Sequence, residues 1–153
     1  MTGAERRERI TAELSERTGI TEAMIERLVR AFYDKVRTDP MLAPVFDARI
    51  RDWEPHLQRM CEFWSSVALM SGRYHGKPMV NHQPLPVDAA HFDRWLDLFE
   101  TTAYEVCPPE AAAHFVERAR RIASSLELGI ASGQGVMLGI GERFRRNEMG
   151  AAR

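Results

Sequence analysis

Residues 72–88 read "GRYHGKPMVNHQPLPVD", and the reading of this stretch decides the fold. It holds Gly72, Gly76, Pro78, Pro84 and Pro86. Proline has no amide to donate and glycine loses the most backbone entropy on ordering, so this density of breakers predicts no helix here. Yet the stretch joins two long apolar-periodic segments and carries two histidines, His75 and His82. A stiff connection that presents histidine between strong helices needs an explanation.

Working outward, the flanking segments are helical in pattern. Met24, Ile25, Leu28, Val29, Phe32, Tyr33 and Val36 alternate steps of one and three, the stripe of an amphipathic helix. Thr21 is its N-cap candidate, and "TDP" at 38–40 stops it. After the loop "MLAPVFDARIR", Asp52 is placed to cap a second helix, with Pro55 tolerated in its first turn. His56, Met60, Phe63, Trp64 and Val67 share one face of that helix, which the pattern ends at Gly72. Asp88 caps a third, carrying Phe92, Trp95, Leu96, Phe99 and Val106. "CPPE" at 107–110 breaks it, and Pro109 suits the first turn of a fourth helix with Ala112, Phe115, Ala119, Ile122 and Leu126. Residues 1–20 are weakly amphipathic, either a helical arm or a frayed end. From Gly129 the tail is glycine-rich and expected to be partly irregular. No segment alternates as a strand does, so the chain reads as all-α.

Length and composition narrow the function. At 153 residues the chain fits one domain, with a core at about 21–128 between the arm 1–20 and the tail 129–153. A net charge of −1 leaves no electrostatic footprint for nucleic acid or an acidic membrane. "MTGAERRERI" has no apolar signal core, and no apolar run approaches the roughly 20 residues of a span. Cys61 and Cys107 lie in or beside helices and outside any CxxC, as reduced thiols of a cytoplasmic protein do.

The informative residues interrupt the apolar faces. Tyr33, His56 and Trp95 each stand on the inner stripe of a different helix. Each alone also fits a plain role: a core Tyr or Trp bonded to a backbone carbonyl, a histidine at a helix start, and for His82 a surface loop position. Together they mark a shared interior pocket. The chain has no HExxH, no GxSxG and no phosphate-cradling glycine loop; "GIASGQG" follows no strand, and Cys61 sits mid-helix on an apolar face. An all-α pocket with one placed histidine and many aromatics suits a haem held by one axial ligand.

In order, "AFYDKV", "LAPVF", "DWEPH", "FW", "YHGKPMVNH" and "HFDRWLDLF" resemble the truncated haemoglobins, specifically their third group, over about residues 21–128. The resemblance implies a globin-like two-on-two helical sandwich with a shortened first helix and a Pro-rich proximal connection largely replacing a helix. It implies haem b as cofactor, with His82 the proximal iron ligand and His75 the competing candidate. Tyr33, His56 and Trp95 match the distal ligand-binding residues. Phe46 matches the residue that packs on the porphyrin, Trp64 is a further pocket aromatic, and Met60 faces the ligand. Leu85 follows the ligand as an apolar neighbour. Arg73, Tyr74 and Lys77 are candidates to meet the haem propionates. Pro84 and Pro86 would stiffen the chain around His82, and Gly76 would ease the turn beneath the haem.

A pocket of this kind binds dioxygen, nitric oxide or carbon monoxide opposite His82, with Tyr33 and Trp95 as donors. The alternative is a haem enzyme, a nitric oxide dioxygenase or peroxidase-like protein. It would need a separate electron-donor protein, because the chain carries no flavin or nicotinamide domain. A purely structural helical module is the third class.

Overall fold

The computed structural model describes residues 2–82 and 85–146. Among the described residues there are seven helices and no strand: α1 (Gly3–Thr18), α2 (Glu22–Val36), α3 (Ala43–Asp47), α4 (Trp53–Leu69), α5 (Pro78–His82), α6 (Ala89–Val106) and α7 (Pro109–Gly133). α2 pairs with α4 and α6 with α7, and α2 lies across α6 to close the sandwich. The all-α, two-on-two architecture expected from the sequence is the one observed.

Local chemistry explains the boundaries. The Thr21 hydroxyl accepts the Met24 amide at 3.2 Å. Asp88 forms a capping box: its carboxylate accepts the Ala90 amide at 3.0 Å, and the Asp88 amide donates to His91 Nδ1 at 3.2 Å. Pro109 opens α7, where a missing amide costs nothing. Asp52 holds the N-cap position of α4 without a side-chain bond.

Three differences from the sequence reading have physical causes, while the N-terminal arm, open between a helical arm and a frayed end, is a helix of 16 residues. Thr2 caps it, Gly19 ends it at φ 77°, and the Thr11 hydroxyl ties it to α4 by donating to the Leu69 carbonyl at 2.8 Å. α4 stops at Leu69, before Gly72, because Met70 adopts the left-handed conformation at φ 55°. The breaker-rich connection contains one helical turn, α5, where none was expected, because Pro78 occupies its start, the position where proline does no harm. Finally, α7 continues through Gly129 to Gly133. A side chain on Gly129 would collide with Met79 Sδ, so the glycine is where α5 leans on α7. Pro84 and the end of the tail lie outside the described residues.

The core has two parts. The larger gathers Leu28, Phe32, Val36, Ala68, Phe99 and Phe115 between the helix pairs. The smaller, Val87, Phe92, Ala123, Ile130, Ala131 and Phe144, lies under the loop that follows α5.

Candidate functional site

The inner faces of α2, α4 and α6 converge on one aromatic chamber. Tyr33, 5% exposed, meets the His56 ring edge-on at 5.1 Å and Phe46, in α3, at 5.8 Å. Trp95 stands edge-on to Phe32 at 5.4 Å and stacks on Phe99 at 5.4 Å. Phe99 stacks in turn on Trp64 at 4.8 Å, so Trp64 sits in the core one ring behind Trp95. Met60 is half-buried one turn beyond His56 on α4. The structure thus brings Tyr33, His56 and Phe46 into mutual contact and joins Trp95 to them through Phe32, with Trp64 stacked on Phe99.

One polar atom here lacks a partner: His56 Nε2 is fully buried with no hydrogen bond. A buried donor or acceptor without a partner costs about 1–3 kcal/mol, so such an atom marks a place where something else binds. Burial lowers the His56 pKa to about 4, helped by the Arg59 and His82 charges, so the ring is neutral at pH 7. Burial alone raises the Tyr33 phenol well above its ordinary value, so it stays a protonated donor.

His82 closes α5. Its Nδ1 lies 2.7 Å from the Pro78 carbonyl. A carbonyl only accepts, so Nδ1 carries the proton and Nε2 keeps its lone pair. Burial lowers the His82 pKa and favours the neutral ring, although the Pro78 bond opposes this. A neutral imidazole whose other nitrogen is oriented by a backbone carbonyl is the form that ligates a metal. His75 is exposed. Leu85 packs half-buried on the smaller core cluster. Tyr74 lies edge-on to Phe63 at 5.2 Å, and Arg73 is paired with Glu22 on the surface. Lys77 is exposed.

This set fits a haem: one oriented nitrogen with a free lone pair on His82, a cluster of aromatic rings, and one buried unpartnered nitrogen on His56, a ring that interacts electrostatically with His82. Three participants were missed in the sequence. Trp53 meets His56 edge-on at 5.6 Å and stacks on Phe46; its place three residues before His56, on the same helix face, was the available signal. Phe32 joins Tyr33 to Trp95. Arg59, three residues after His56, acts electrostatically on both His56 and Tyr74.

Comparison with known proteins shows the family. The family model described as bacterial-like globin matches residues 13–126. Group 3 truncated hemoglobin ctb of Campylobacter jejuni is 34% identical over 113 residues, covering 71% of this chain and 89% of that protein. The crystal structure of a group III truncated hemoglobin from the same species superposes with a TM-score of 0.66 at 34% identity, over 71% of this chain and 89% of that one. The hemoglobin of the thermophilic phototroph Chloroflexus aurantiacus superposes with a TM-score of 0.62 at 25% identity, over 74% and 95%.

Proposed function

The chain belongs to the bacterial-like globins, as a truncated haemoglobin of group III, and from that premise we propose that it reversibly binds dioxygen and related diatomic gases at a haem held by His82. A bound haem would supply an iron able to take a diatomic gas, with His82 holding it. Every other part of the task falls to the side chains.

His82 presents Nε2 while the Pro78 carbonyl fixes its tautomer and ring angle. Phe46, Leu85 and Met60 would supply apolar contact for the porphyrin, and Trp64 stacks on Phe99 behind Trp95. Tyr33 would donate a hydrogen bond to the gas, with Trp95 Nε1–H as a second donor. Such donors would favour dioxygen, the more charge-bearing ligand, over carbon monoxide. His56 is neutral at pH 7, so it adds no full charge here and can give or accept a hydrogen bond.

The observation that carries this reading is the His82–Pro78 bond, which leaves a lone pair on a half-buried, neutral ring. Apoprotein titrated with haem should give a stoichiometric Soret band, and the ferrous form a five-coordinate histidine spectrum. His82→Ala should lose that spectrum and regain it with added imidazole, whereas His75→Ala should keep it. Loss in His75→Ala but not in His82→Ala would overturn the assignment.

A further inference from the structure

The segment that follows α7 does more than trail away. Phe144 is 2% exposed and completes the smaller core cluster. Arg143 donates through Nε and Nη2 to Glu127, a carboxylate buried on α7, at 2.8 to 3.2 Å. The Phe144 amide donates to the same carboxylate at 3.0 Å. This anchor holds residues 143–146 across the loop that leads from His82 into α6.

Four bonds of 3.0 Å or shorter then join residues 144–146 to that loop. The Ala89 amide donates to the Phe144 carbonyl at 2.7 Å. The Arg146 amide donates to Asp88 Oδ2 at 3.0 Å. The Arg146 guanidinium, 5.1 Å from the centre of the Phe144 ring, spans two carbonyls, Nε to Val87 at 2.9 Å and Nη2 to Leu85 at 3.0 Å. Leu85 is itself tied to the histidine, because its amide donates to the His82 carbonyl at 3.0 Å. Carbonyls in this proline-interrupted run lack helix or sheet partners, and a planar fork of donors satisfies two at once.

We propose that residues 143–146 are a strap that fixes residues 85–89, with Arg146 as a positioning residue for the His82 imidazole. The strap lies beyond the 13–126 stretch that the globin family model matches. The proposal rests on the reading of His82 as the haem ligand.

The test uses the full chain with Arg146→Ala and Arg146→Lys, and with Arg145→Ala as a control that removes a neighbouring charge. Lysine can reach one carbonyl but not both, so its effects should fall between. In the apoprotein, hydrogen exchange at the Leu85 and Ala89 amides should quicken by about tenfold in Arg146→Ala, the size expected from losing charge-assisted hydrogen bonds. In the ferrous, ligand-free holoprotein, the iron–histidine stretching band should shift and broaden, which a change in global stability alone does not produce. Unchanged exchange and an unchanged band would reduce the strap to packing for Phe144 and overturn the proposal. If Arg146→Ala does not fold, Arg146→Lys and Asp88→Asn carry the same measurements. His82→Ala in parallel separates the two ideas. A band that survives there refutes the ligand assignment, while the exchange data still judge the strap. A band lost there but unmoved in the Arg146 variants refutes the strap alone.

Discussion

Replacing Tyr33 by phenylalanine should weaken the hold on dioxygen. Tyr33 is buried on α2, beside His56 and Phe46. In the proposed function dioxygen would accept from its hydroxyl, and a hydrogen bond to a group bearing charge contributes about 1.5–3 kcal/mol. At about 1.4 kcal/mol per decade, Tyr33→Phe should release dioxygen on the order of ten- to a hundredfold faster. Carbon monoxide carries little charge, so its release should change much less, and the ratio of the two effects isolates the hydrogen bond from any change in access. Stopped-flow displacement of dioxygen by carbon monoxide gives both release rates. Because Trp95 is a second donor, the double variant with Trp95→Phe belongs in the series. Unchanged dioxygen release in both variants would refute the reasoning and leave Tyr33 a core aromatic.

Two further outcomes follow from the same structure. The folded chain keeps His56 neutral down to about pH 4, whereas the unfolded chain protonates it near the ordinary 6.5. Stability should therefore be whole above pH 6.5 and fall as the pH drops toward 4, where the unfolded state binds the extra proton. Urea unfolding of apoprotein at pH 7 and pH 5 should show a smaller loss in His56→Gln than in wild type; equal losses would discount the histidine. At the α5–α7 contact, Gly129→Ala gains about 1 kcal/mol of helix propensity but overpacks against Met79 at a cost of about 1–3 kcal/mol. The substitution should be neutral to destabilising in wild type and stabilising in a Met79→Ala background, and the same sign in both would show that Met79 does not crowd this site.

Much of this was legible in the sequence, because caps and stripes are local signals. Thr21, Asp88 and Pro109 marked helix starts through side-chain chemistry that acts within three residues. Tyr33, His56 and Trp95 stood out because they interrupt apolar stripes. What escaped depends on contacts far along the chain. The helix α1 buries little beyond Leu14 and Thr18, and its stripe is correspondingly faint. The continuation through Gly129 depends on Met79, fifty residues earlier. The turn of α5 is a single turn among breakers, held in part by a side-chain bond from His82 to Pro78. Phe144 is a lone aromatic in a glycine-rich tail, and only its burial against Val87 and Phe92 reveals its role.

The ring-to-ring order of the chamber also gives the chain its own optical probe. All three of its tryptophans belong to this aromatic set: Trp53 beside His56, Trp95 beside Phe32, and Trp64 one stacked ring deeper. Porphyrin absorbs in the near ultraviolet where indole emits, so each tryptophan is a donor for energy transfer to anything of that kind bound among them. Intrinsic fluorescence should accordingly be bright in the apoprotein and extinguished in proportion to occupancy. Capture and loss of the cofactor can then be followed in real time, without a label and without altering a single residue.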